Sequence, residues 1–157
     1  MAEDTVGFIG VGRMGGRLAQ RLIKAGYDLV IFDTNQDAAH TFVQQGAQLL
    51  SSPAAVASTC EIVITCLPTP SVVESVALGL NGIVEGKRVK VLIDMSTTGA
   101  TYAKRIARKL AEKNKVTMAK LPALCWARST KEEPPELSSL PPTANEMARM
   151  IGSSTMN

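Results

Sequence analysis

Residues 6–9 form an apolar run that ends in Gly10-Val11-Gly12-Arg13-Met14-Gly15, and a helical pattern begins at once afterwards. A short apolar run closed by glycine reads as a strand buried on both faces. Gly10 lets the chain turn tightly. Gly12 has no Cβ to keep a ligand from the backbone, and Gly15 lets the helix pack closely on the strand. Residues 13–25 carry Met14, Leu18, Leu22 and Ala25 at spacings of four, four and three, with Gly26 as a stop. The first N–H groups of such a helix have no partner within it, and the helix dipole adds positive potential there. A turn of this kind is predicted to seat a diphosphate.

The pattern then repeats. Apolar strands are predicted at 29–32, 61–67 and 89–93, and 116–118 can begin another. Helices are predicted from about 35 to 45, from Pro53 with Ser52 as cap, from about 69 to 78, and over 98–113 with Ala100, Ala103, Ile106, Ala107 and Leu110 on one face. Strands alternating with helices over short connections give a parallel sheet covered on both faces, with right-handed crossovers. The expected class is therefore α/β, a Rossmann-type doubly wound sheet over residues 1–118. The composition changes in the last 39 residues, which hold five of the eight prolines and one of the twelve glycines. Pro134-Pro135 and Pro141-Pro142 oppose regular helix, residues 132–136 read as an extended linker, and residues 145–151 can form one or two turns capped by Asn145. Residues 119–157 are expected to be an irregular or disordered Pro-rich tail.

Asp33 closes the second strand, 18 residues after Gly15. A carboxylate at that spacing is predicted to accept hydrogen bonds from the adenosine ribose hydroxyls of a dinucleotide. It can also cap the next helix, although Asn35 or Thr34 can do so instead. No Arg or Lys occurs in Thr34-Asn35-Gln36, so nothing there attracts a 2′-phosphate, and NAD is favoured over NADP. Leu67-Pro68 and Ser96-Thr97 follow the third and fourth predicted strands on the same edge as the glycine turn, where open parallel sheets bind ligands. Read alone, Pro68 can simply stop a strand, and Ser96 and Thr97 can simply cap a helix. The candidate cofactor-binding set is Gly10, Val11, Gly12, Arg13, Met14, Gly15, Asp33, Thr34, Leu67, Pro68, Ser96 and Thr97. No catalytic or metal-ligating group is expected. His40, the sole histidine, reads as a surface residue.

Formal net charge is +3, with 45% hydrophobic and 20% charged residues. The first figure gives no nucleic-acid signature, and the others describe a chain able to bury a core. No apolar run approaches the ~20 residues that span a bilayer. The polar opening residues do not read as a signal peptide, so a cytoplasmic location is expected. Cys60, Cys66 and Cys125 have neither C-x-x-C nor metal-ligand spacing and read as reduced thiols.

The run from Phe8 to Leu22 resembles the signature of the β-hydroxyacid dehydrogenases, a family that includes 3-hydroxyisobutyrate dehydrogenase and tartronate semialdehyde reductase. Met14 in Gly12-Arg13-Met14-Gly15 is more particular to that family than the glycines. Ile64-Thr65-Cys66-Leu67-Pro68 is similar to its third-strand Leu-Pro motif, and Asp94-Met95-Ser96-Thr97 to its Asp-x-Ser-Thr motif. The resemblance covers residues 6–117. It implies a nicotinamide dinucleotide as ligand, Leu67-Pro68 lining its groove, and a hydroxyl residue of the last motif near the nicotinamide ribose. The family continues with a substrate-holding Ser-Gly-Gly and a helix carrying Gly-x-x-x-Lys, whose Lys serves as proton donor, then an all-helical domain. None follows here, and Lys120 and Lys131 sit among prolines and polar residues. The chain alone is therefore expected to turn over no hydroxy acid, and to self-associate through a face that the helical domain would cover. The tail around Trp126 can also be read, one base earlier, as family-like Gly-Ala-Glu, which suggests a shifted reading frame. The remaining alternative is a non-catalytic NAD-binding or interaction module.

Overall fold

The computed structural model describes residues 5–120 and 141–152. The elements, in chain order, are β1 (Thr5–Ile9), α1 (Arg13–Lys24), β2 (Asp28–Phe32), α2 (Gln36–Val43), β3 (Gln48–Leu49) and α3 (Pro53–Thr59). These are followed by β4 (Ile62–Thr65), α4 (Pro70–Leu78), a 3-10 turn (Ile83–Glu85), β5 (Val91–Asp94), α5 (Gly99–Asn114), β6 (Thr117–Lys120) and α6 (Pro142–Gly152). All neighbouring strands are parallel, in the order β3-β2-β1-β4-β5-β6. The chain works outward from β1 to β3, then returns to the other side of β1 with β4. The crevice between β1 and β4 is the topological switch point of a doubly wound fold.

Alternation explains why the strands are apolar without a break. Phe8, Ile31, Ile64 and Ile93 face one core, with Leu18 and Leu22 of α1 and Phe42 of α2. Their neighbours Ile9, Val30, Val63 and Leu92 face the other, with Val56 of α3, Val73 of α4 and Ile106 and Leu110 of α5. Successive side chains on a strand point to opposite faces, so a sheet covered on both sides needs apolar residues at both parities. Each large side chain so buried contributes about 1.5–3 kcal/mol.

Local signals set the helix starts. The Asn35 side chain accepts from Asp37 N–H and Ala38 N–H, Ser52 accepts from Ala55 N–H, and Thr69 accepts from Val72 N–H, with Pro53 and Pro70 opening their helices. The apolar stripe of α1 is rotated from the predicted one: Gly15, Leu18, Ala19 and Leu22 are buried, while Met14 and Ala25 are exposed. The small residues at 15 and 19 bring the helix close to the sheet on that side, which turns Met14 outward. On α5, Ile106 and Leu110 are buried as predicted, but Ala100 in the first turn is exposed.

One stretch of the expected irregular tail is a helix. In α6, Ala144, Met147, Ala148 and Ile151 are fully buried in the core shared with Val91, Ile93 and Ala119, and the helix packs on α1. Pro142 opens the first turn, where no N–H is needed, so the Pro-Pro pair starts the helix rather than preventing it. Asn145 lies inside it: its N–H donates to the Pro141 carbonyl at 2.9 Å, and its side-chain oxygen accepts from Arg149 Nε at 2.7 Å. The readings made for Cys125, Trp126, Lys131, residues 132–136 and Pro134-Pro135 lie outside the described residues. No helix among the described residues is long and apolar enough to cross a membrane.

Candidate functional site

The glycine turn joins β1 to α1 at the carboxyl edge of the sheet. Gly10 has φ +93° and its N–H donates to the Phe32 carbonyl at 3.1 Å. A side chain on Gly15 would run into the Gly10 carbonyl, so helix and turn close on one another only with glycine there. Above Gly12 lies open space. Gly12 is also the N-cap of α1, with no side chain to cap it, and the first turn holds no acidic residue. The N–H groups at the helix start are thus left to a ligand, as an anion would require.

Asp33 spans two backbones. One carboxylate oxygen accepts from Val11 N–H at 2.8 Å, and the other accepts from Asn35 N–H at 2.8 Å. The carboxylate is part-buried, and each of its oxygens retains a lone pair for a further donor. Capping of α2 falls to Asn35 instead. This geometry moves Val11 out of the expected contact set. Its side chain is buried in the core and its N–H is engaged by Asp33, so it supports the turn from beneath.

A second cluster stands beyond β1. Thr65 at the end of β4 is in register with Asp94 at the end of β5, and its hydroxyl donates to Asp94 Oδ1 at 2.9 Å. Ser96 N–H donates to the same oxygen at 3.1 Å, and the Thr98 hydroxyl reaches Oδ2 at 3.4 Å. Leu67 N–H donates to Ser96 Oγ at 2.8 Å. Neither Ser96 nor Thr97 caps α5, whose N-cap is Thr98 without a side-chain cap bond.

The two clusters and the turn border one cleft of about 640 Å³, within the ~300–1,000 Å³ of small-molecule sites. Every residue of the candidate set lines it except Val11. Asp33 and Ser96 follow β2 and β5, three strand spacings apart, or about 14 Å at 4.8 Å each. The glycine turn lies between them. A carboxylate at one end, an uncapped helix start in the middle and a hydroxyl-bearing wall at the other have the chemistry that the parts of a dinucleotide would need. The residues therefore fit such a cofactor. Sequence reasoning missed Val72 and Val76 of α4, Met95 and Cys66, which also form the wall. The four-residue spacing of Val72 and Val76 puts both on one helix face and could have flagged them. Burial pushes the Cys66 thiol up to about 11, with the Asp94 carboxylate adding to the effect. A thiol held neutral in this way is a wall group rather than a nucleophile.

Residues 5–122 match the family described as the NAD-binding domain of 6-phosphogluconate dehydrogenase. The chain belongs to that family. Within it, the chain is 40% identical over 122 residues to a protein named as probable mitochondrial 3-hydroxyisobutyrate dehydrogenase from Dictyostelium discoideum, covering 77% of this chain and 38% of that protein. It is 42% identical over 120 residues to the bovine mitochondrial 3-hydroxyisobutyrate dehydrogenase, covering 75% and 36%. Among solved structures, the 3-hydroxyisobutyrate dehydrogenase of Mycobacterium tuberculosis superposes with a TM-score of 0.66 at 27% identity, over 77% of this chain and 40% of that one. The chain thus spans a little over a third of the curated relatives it matches. It is an NAD(P)-binding Rossmann domain, similar to part of the 3-hydroxyisobutyrate dehydrogenases, as its motifs predicted.

Proposed function

We propose that this domain binds NAD and serves as the cofactor half of an oxidoreductase acting on a small β-hydroxy acid or its semialdehyde. The observation that carries the reading is the placement of Asp33, the uncapped start of α1 and the Ser96 wall along one cleft. NAD, when bound, supplies the hydride acceptor or, reduced, the donor. The residues of this chain bind and orient it: Asp33 accepts from the adenosine ribose, the N–H groups after Gly12 hold the diphosphate, and Leu67, Pro68, Ser96 and Thr97 flank the nicotinamide end. NAD is preferred to NADP because the Asp33 carboxylate repels a 2′-phosphate and residues 34–36 offer no cation to hold one. A charge-assisted hydrogen bond of this kind is worth about 1.5–3 kcal/mol, roughly a ten- to hundredfold preference.

The reaction itself needs a substrate held against the nicotinamide and a placed proton donor. Beyond residue 118 the sequence has neither the Ser-Gly-Gly nor the Gly-x-x-x-Lys that supply these in the resembled family, so the 157 residues by themselves are proposed to bind without turnover. Fluorescence titration with NADH and NADPH tests the binding. At least a tenfold preference for NADH is expected, equal affinities would remove the NAD assignment, and no binding of either would remove the cofactor reading. Assays with 3-hydroxyisobutyrate, tartronate semialdehyde and glyoxylate are expected to give no steady rate, and any sustained substrate-dependent rate overturns that part. A second reading, a non-catalytic NAD-binding or interaction module, is favoured by 33% identity over 112 residues to a protein named cytokine-like nuclear factor N-PAC from Pongo abelii, of which this chain covers 20%.

A further inference from the structure

Asp94 is fully buried, yet it lies immediately beneath the wall of the cleft. Ionised carboxylates are costly to bury unless every lone pair finds a donor. Here one carboxylate gathers the Thr65 hydroxyl, Ser96 N–H and the Thr98 hydroxyl. Ser96 then passes the connection on, because its Oγ accepts from Leu67 N–H across 29 residues of sequence. Two loops, one after β4 and one after β5, are thereby tied to one buried group. They carry Leu67-Pro68 and Ser96-Thr97, the far end of the cleft from Asp33. A leucine at position 94 could fill the same space without desolvating a charge. What an apolar side chain could not supply is the fixed placing of Ser96 N–H, and with it the orientation of Ser96 Oγ towards Leu67.

We propose that Asp94 is a positioning residue that sets the nicotinamide end of the cleft, acting through Ser96 and Leu67 without touching the ligand. The proposal rests on the cofactor reading above. It requires that loss of the carboxylate loosen one end of the site while the adenosine and diphosphate end, built on β1, β2 and α1, stays intact. A merely structural carboxylate would weaken both ends together or neither.

The test compares NADH with ADP, which carries the adenosine and diphosphate but no nicotinamide. Asp94→Leu keeps roughly the volume but removes the oxygen that accepts from both the Thr65 hydroxyl and Ser96 N–H. It is expected to weaken NADH binding about tenfold or more, to leave ADP binding unchanged, and to reduce the enhancement of NADH emission on binding. Ser96→Ala and Thr65→Val break the same network on either side of Asp94, and they decide the matter if the Asp94 variant fails to fold. Equal weakening of both nucleotides, or no change in either, overturns the proposal while leaving the cofactor reading standing. Absence of both NADH and ADP binding to the unaltered protein removes the cofactor reading and the proposal together.

Discussion

Gly12 and Gly15 look alike in the sequence, but the space around them separates their roles. Open space lies above Gly12, whereas the Gly10 carbonyl blocks any side chain at Gly15. Gly12→Ala is expected to unfold at the same urea concentration as the unaltered protein and to lose NADH affinity. Gly15→Ala is expected to lose about 1–3 kcal/mol or more of stability. Urea titrations with and without NADH separate the two effects. The thiols give a pH prediction. Burial pushes both Cys60 and Cys66 up to about 11 from 9.0, opposed at Cys60 by Arg88 and reinforced at Cys66 by Asp94. Unfolded thiols begin to ionise near 9 while the folded ones hold their protons, so this contribution to stability is complete below about pH 9 and is lost as pH rises towards 11. The urea midpoint should fall across that window, and less steeply in a Cys60→Ala/Cys66→Ala double variant. At this scale the glycines, Asp33, Leu67-Pro68 and Ser96-Thr97 were legible because their residue types are tied to backbone events. The inward turn of Val11 and the hub at Asp94 were not, because hydrogen bonds spanning 22 and 29 residues leave no mark on local spacing.

Elements follow the same division. β1, β2, β4 and β5, the start of β6 and the first five helices were readable from apolar runs, caps and prolines. β3 was not, being two residues long with no room for a period. The stripe of α1 was misplaced because the two small residues that face the sheet, Gly15 and Ala19, carry little hydropathy signal. α6 was underestimated because two adjacent prolines usually argue against a helix, yet at a helix start they are compatible with one. Met147 is fully buried between α6 and the core. Met147→Ala is expected to cost about 2–5 kcal/mol, read as a shift in the urea midpoint. A cost comparable to a surface substitution would show that α6 adds little to the packing.

For the molecule as a whole, α6 packs over the sheet face that carries Val91, Ile93 and Ala119. Four large apolar side chains are exposed among the described residues: Leu80 (89%) and Tyr102 (36%) lie away from the cleft, while Met14 (42%) and Val72 (37%) line it and form the apolar surface at its mouth. Self-association, if driven by this surface, is expected to be weak and to compete with cofactor. Sedimentation velocity at increasing concentration should show association that NADH reduces. A single monomeric boundary at high concentration would argue against it. The layered architecture was legible as a whole because alternation of strand and helix admits few topologies, whereas the return of residues 142–152 to the first helix depends on contacts between distant parts of the chain. That return has its own effect on how the fold comes apart. Terminal helices usually fray before the interior opens, but α1 and α6 lean on each other across the same core. Neither can peel away without uncovering the other, so amide hydrogens in both should exchange at similar slow rates, through one shared opening rather than two separate ones.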